Sequence, residues 1–166
     1  MGITIRSTNN IPKVKKALKE VSKKEIKVGI FDQGELGMIA AVHEFGAEIP
    51  VTPKMRGWFS ANGYPLKAST TTIVIPERSF IRAGFDEYHT KIADKIEVML
   101  PQVLMLAISS NTFLDAIGVE FASLLKKYTN ELSDPPNSEM TIERKKSSNP
   151  LIDSGRMRNA ITYKVE

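Results

Sequence analysis

The sequence predicts an α+β domain: a small sheet closed by the C-terminal strand, covered by long helices, with a projecting Pro/Gly-rich arm or hairpin. Three observations predict it. Two long stretches repeat apolar residues at helical spacing, Ile92, Ile96, Met99, Val103 and Ala107 in the first and Leu114, Ile117, Phe121, Leu124, Leu125 and Tyr128 in the second. Two short runs alternate in the manner of half-buried strands, Ile26, Val28 and Ile30 in one and Ile161, Tyr163 and Val165 in the other. Residues 49–76, IPVTPKMRGWFSANGYPLKASTTTIVIP, follow neither rule and are rich in Pro, Gly, Ser and Thr.

The elements follow in order. Ile11, Val14, Leu18 and Val21 mark a first helix with lysines opposite, capped by Asn9 or Asn10, with Pro12 in its first turn. EIKVGIF (25–31) is a strand and DQGELG a turn. LGMIAAVHEFG (36–46) is a short helix stopped by Gly46, because glycine accepts positive φ at a helix end. Strands are expected around Val51 and over TTIVI (71–75), with a hairpin-like Asn62-Gly63 between them. A connection this long is uncommon inside a core, so residues of about 50–76 are expected to project. FDEYHTKIADKIEVML and its continuation form a long helix, which Pro101 either kinks or divides. Another runs over about 112–132 until SDPPNS breaks it, and SEMTIERKK adds a short basic helix. The closing strand should pair with 25–31 and lay Ile161, Tyr163 and Val165 on the helices. All of this fits one domain, 1–166.

Composition narrows the function classes. The formal charge of +4 is mild, which permits contact with polyanions without requiring it. There are no cysteines, so disulfides, thiol catalysis and cysteine-based zinc sites are excluded. MGITIRSTNN lacks the apolar centre of a signal peptide, and VMLPQVLMLAI is too short to span a bilayer. A soluble protein made inside a cell is expected, with no membrane partner.

No catalytic constellation emerges. His43-Glu44 begins as a zinc-protease motif does, but the position of the second histidine is Ala47, and His89 lies far along the chain. His43 therefore reads as a helix-surface histidine. Gly29, Gly34 and Gly37 match no dinucleotide or phosphate loop. Ser154 has no glycine-flanked elbow and reads, with Asp153, as a turn cap that Gly155 completes. No enzyme, cofactor or metal is expected.

The basic clusters are the better candidates. Arg144, Lys145 and Lys146 lie close in sequence to Arg156 and Arg158, and they form either a solubilising surface or a patch for an acidic partner or passing DNA. Arg56, Trp58 and Phe59 pose a similar choice. They are either the anchor of an interface, with the arm mobile until assembly orders it, or a segment folded back on its own core.

Three segments carry a resemblance: HEFGAEIP (43–50), IPERSFIRAGF (75–85) and PPNSEMTIERKKSSNPLIDSGRMRNAITYKV (135–165). In order and content they resemble the tail-completion proteins of long-tailed bacteriophages, also called head–tail joining or virion-morphogenesis proteins. The last segment is the most specific, with Met157 and Ala160 as mild variants. The resemblance implies a structural virion protein of the neck, assembled in the bacterial host cytoplasm. It implies a homo-oligomeric ring, a hexamer or a dodecamer, at the head-proximal end of the tail. The implied partners are tail terminator or tail tube protein and head connector or adaptor proteins, with genomic DNA passing through the lumen unread. Arg156 and Arg158 would then lie at a subunit or partner surface. The alternatives are a neighbouring ring, as tail terminator or connector adaptor, and a basic nucleic-acid-binding regulator.

Overall fold

A computed structural model describes residues 9–145 and 147–166. In chain order it contains α1 (Ile11–Ser22), β1 (Ile26–Gly29), α2 (Glu35–Phe45), β2 (Ala47–Pro50), α3 (Pro53–Ala61), β3 (Thr72–Ile75), α4 (Arg82–Leu104), α5 (Ser110–Glu131), α6 (Glu139–Lys145), α7 (Arg156–Asn159) and β4 (Thr162–Val165). The class is α+β. Among the described residues no helix is long and apolar enough to cross a membrane.

The expected pairing of the two alternating runs is present. β1 and β4 are antiparallel, with Ile26 opposite Val165 and Gly29 opposite Thr162. Reciprocal bonds between the backbones of Glu25 and Glu166, 2.8 and 3.0 Å, extend the ladder, and Lys27 Nζ reaches the Glu166 carboxylate at 2.5 Å. Ile161, just before β4, is fully buried, and Tyr163 and Val165 are half-buried on the same side.

The single closed sheet does not form. β2 and β3 pair with each other, Ala47 opposite Ile75 and Pro50 opposite Thr72, as a separate two-stranded ribbon. Their connection doubles back between them, so this local closure costs far less chain entropy than reaching the first ribbon. The expected extended Pro/Gly-rich arm is also corrected, because α3 occupies its first half. Thr52 caps that helix by accepting from Met55 N at 3.2 Å, and Pro53 sits in the first turn, where its missing N–H is no loss. Pro101 neither divides nor ends α4, which continues through it to Leu104.

α5 is the centre of packing. Ser109 caps it, accepting from Thr112 N at 3.0 Å. It lies against α1, α4, α7 and both strands of the first ribbon. Its buried face serves two apolar clusters. One gathers Phe80, Leu125, Leu151, Met157 and Ile161; the other gathers Ile92, Val103, Phe113, Leu114 and Ile117. Phe121 packs against both and joins them.

β4 can seat on α5 only because position 118 is glycine. A Cβ there would lie 2.2 Å from Tyr163 Cδ2 and 2.6 Å from its Cγ. The ring has little freedom to move, since Tyr163 Oη donates to Asp115 Oδ1 at 3.2 Å. Gly118→Ala should therefore destabilise the fold by roughly 1–3 kcal/mol in urea unfolding, although alanine is the better helix former by about 1 kcal/mol. In a Tyr163→Ala background the same change should become stabilising. A neutral effect in the parent would mean that β4 does not seat there.

Candidate functional site

Between Glu35 at its start and His43 near its end α2 is apolar, and its one buried carboxylate, Glu44, is the best-connected side chain among the described residues. Glu44 Oε2 accepts from the backbone N–H groups of Phe80 at 2.8 Å and Ile81 at 2.9 Å. Its Oε1 accepts from Ser79 Oγ at 2.9 Å and from the Arg82 backbone and Nε, both at 3.0 Å. These backbone donors are the free N–H groups at the start of α4, whose own cap position, Ile81, offers no side-chain acceptor. A carboxylate from another helix thus caps α4, where the helix dipole favours negative charge. Arg82 closes the clasp by donating to Glu44 O at 2.7 Å and to Glu77 Oε1 at 2.9 Å, with its guanidinium 4.6 Å from the centre of the Phe45 ring. Burial alone would raise the Glu44 pKa. The Ile81 and Arg82 N–H groups, the Ser79 hydroxyl and the Arg82 side chain outweigh burial and hold it below the ordinary carboxylate value.

Arg78 extends the clasp to the third segment. Its N–H donates to His43 O at 2.7 Å, and its buried guanidinium donates to the carbonyls of Pro135 at 2.7 Å and Pro136 at 2.8 Å. Asn149 anchors the turn that follows α6, donating to Asn130 O at 2.8 Å and accepting from Leu151 N and Ile152 N at 2.9 and 3.0 Å. The segments 43–50, 75–85 and 135–165 therefore meet in one polar network.

His43 corrects an expectation. It is partly buried, and its Nδ1 is enclosed with no hydrogen-bond partner among the described residues. Burial first, then the Arg78 and Lys145 cations, lower its pKa to about 4, so the imidazole is neutral at neutral pH.

The expected interface residues are placed as follows. Arg56 does not face outward; it donates to the carbonyls of Lys67 at 3.0 Å, Ala68 at 3.4 Å and Thr70, stapling the loop to α3. Trp58 is 43% exposed, with Phe59 edge-on at 5.1 Å and the Arg144 guanidinium 4.9 Å from its ring centre. Tyr64 donates to Glu143, so α6 holds the excursion at two points. Lys145 turns inward to Pro150 O at 3.1 Å, and Lys146 lies outside the described residues. Arg156 lies 3.8 Å from Glu35, while Arg158 bonds to Asn159 and Asn130. Two residues apart on α7, these arginines point to opposite sides, with Met157 buried between them. Arg156 and Arg158 thus do not share one face, whereas Lys145 and Arg156 line the same cavity.

An open cavity of about 380 Å³ lies between α2, α6 and α7, lined among others by Glu35, His43, Lys145, Asp153 and Arg156. Its two acids and two cations balance. Ser154 also lines it, but among the described residues no hydrogen bond joins Ser154, Asp153 or His43 to one another. No group of three His, Asp or Glu side chains able to hold a metal occurs among the described residues.

No family model, curated protein or solved structure matches this chain. The clasp itself escaped the sequence reading. Two signals could have exposed it: an acid in the last turn of an apolar helix, and arginines flanking the apolar Phe80-Ile81 pair.

Glu44→Gln should cost roughly 3–5 kcal/mol in urea unfolding, because it removes the charge that five donors share and leaves buried N–H groups poorly satisfied. A loss below about 1 kcal/mol would sink the view that this carboxylate organises the fold.

A second outcome follows from His43. Its folded pKa of about 4 lies below the unfolded value, so its contribution to stability is complete above the unfolded pKa, near 6.5. As pH falls toward 4, the unfolded chain takes up the proton and the folded chain does not, and stability drops by at most about 1.4 kcal/mol per pH unit. The depressed Glu44 pKa adds a loss of the same sign at lower pH. The urea midpoint of the parent should fall between pH 6.5 and 4, and His43→Leu should flatten that slope. An equal slope in both would remove His43 as its origin.

Proposed function

We propose that this chain is a structural virion protein of the phage neck, without catalysis, forming a ring at the head-proximal end of the tail and joining tail to head. The observation that carries the reading is the polar clasp. The residues on which the resemblance to tail-completion proteins rests are those that Glu44 and Arg78 tie together, although the segments lie far apart in sequence. That mutual dependence is a physical reason for the three segments to occur together.

Ring partners in this reading are further copies of the chain, a tail terminator or tail tube protein below and head connector or adaptor proteins above. The α3 excursion, with Trp58 part-exposed, is the surface offered to one of those neighbours. Genomic DNA passes through the lumen and is not read. The exposed lysines of α1, Lys13, Lys15, Lys16 and Lys19, supply charge for such a passage. The same lysines favour the competing reading, a basic nucleic-acid-binding regulator. A shift assay with short duplex DNA separates the two, since a regulator binds discretely and weakens steeply with salt.

The decisive experiment labels this protein in particles and averages electron micrographs of the neck. The label should sit between head and tail, and particles made without the protein should accumulate as filled heads and separate tails. Normal joining without it, or a label elsewhere, would overturn the reading; a label one ring above or below would assign it as adaptor or terminator.

A further inference from the structure

The excursion between α2 and α4 is bound to itself more firmly than to the rest of the chain. No residue from 47 to 77 is buried, and none belongs to or packs on either apolar cluster. Internally the segment is well held. Ala47 to Pro50 pair with Thr72 to Ile75, and Val51 N donates to Thr71 O at 2.8 Å. Thr52 caps α3, and Arg56 bonds three carbonyls of the loop that follows it. Regions with few buried apolar contacts open first, and they open as contiguous units.

Two surface contacts hold this unit against α6, a helix that itself has no buried residue. The Arg144 guanidinium lies 4.9 Å from the centre of the Trp58 ring, and Tyr64 Oη donates to the Glu143 carboxylate. Among the described residues no other hydrogen bond, ion pair or ring contact joins 47–76 to a helix outside it. At an exposed site a cation–π pair shifts an equilibrium by only about two- to fivefold, so the hold is weak. The base is different. Glu77 is held by Arg82, the Arg78 N–H donates to His43 O, and Gly46 follows directly on the clasp. The chain leaves this fixed base at Gly46 and returns to it at Pro76. Gly46 has φ +72, and a Cβ there would lie 3.0 Å from both Glu77 N and Ile75 O, so the two crossings run side by side. Adjacent crossings of this kind define one axis, and backbone changes at a few such positions are enough for a hinge.

We propose that residues 47–76 are a flap that swings as one body about Gly46 and Pro76, latched shut on α6 by Trp58 on Arg144 and by Tyr64 on Glu143. Shut, Arg144 covers one face of the only tryptophan in the chain. Open, Trp58 and its edge-on neighbour Phe59 are free to meet a partner, and Glu143 and Arg144 are released with them. α6 also carries Lys145, which lines the cavity beside His43, so the latch and that cavity share one short helix. In the proposed neck, a neighbour that takes Trp58 selects the open form, while the shut form withholds the ring in unassembled subunits. That use rests on the neck reading; the flap itself does not.

The chain has no cysteine, so pairs of spin labels can be placed on the full protein without background. Ser60→Cys on α3 with Glu139→Cys on α6 reports flap against body, and Lys54→Cys with Lys67→Cys reports within the flap; all four positions are exposed. Distances are read by double electron–electron resonance. The parent should show mainly one short 60–139 distance with a minor longer one. Glu143→Gln combined with Arg144→Ala removes both contacts, and the longer population should then grow by at least about fivefold. The 54–67 distance should stay single, the urea midpoint should match the parent, and Trp58 should become more open to acrylamide quenching. A 60–139 distance that the double substitution leaves unchanged would overturn the proposal, because something other than the latch would then hold the segment. So would a 54–67 distance that broadens with it, since the segment would be melting and not swinging. Either result leaves the neck reading standing. A latch-dependent 60–139 distance in a protein never found in the neck would remove that reading alone.

Discussion

The Glu44 carboxylate determines how the end of α2 meets the start of α4, and the second ribbon and the Phe80 corner of the core both depend on that meeting. A buried anion is unfavourable unless donors replace its water, and here the start of α4 supplies them as backbone N–H groups already fixed in direction. The exchange works both ways. α4 begins where no side chain of its own can cap it, and the anion of α2 stands in for that cap. Because hydrogen bonds are directional, the pairing sets the angle and register between the helices more tightly than apolar packing could. Gly46, at φ +72, then turns the chain out of α2 into β2, so the second ribbon leaves from the clasp itself.

Apolar packing supplies the bulk of the stabilisation around that point. Phe80, held by its N–H to Glu44, is fully buried against Leu125, Met157 and Ile161, so the clasp and the first cluster share a residue. α5 carries the effect onward to β1 and β4, through Gly118 and the Tyr163 ring. The two ends of the described chain are thereby fastened to the same helix.

The surface is less charged in effect than the composition implies. Arg82, Arg144, Arg156 and Arg158 each have a local partner, as carboxylate, aromatic face or amide. Two exposed surfaces stand out among the described residues: the lysines of α1, and the uncharged tip from Val98 to Leu106. The first suits a polyanion at a distance, the second a close dry contact.

The sequence by itself determined the elements whose pattern repeats. α4 and α5 are legible because a helix that buries one face must repeat its apolar residues at that spacing, and β1 and β4 because only those two runs alternate clearly. Their pairing followed by elimination. α3 was hidden by composition, since Pro53, Gly57 and Ser60 resemble a loop, although Thr52 before Pro53 is a helix-start signal. The single sheet failed because β2 and β3 had a nearer partner in each other. The direction of the basic side chains was not legible either, because sequence proximity says nothing of it: α7 turns Arg156 away from Arg158. Glu44, His43 and Arg78 were decided by tertiary structure alone. A helix pattern shows that a residue is near the core, but a carboxylate's burial, charge and role depend on which donors meet it. Here those donors lie more than thirty residues along the chain, brought in only when the start of α4 meets the end of α2.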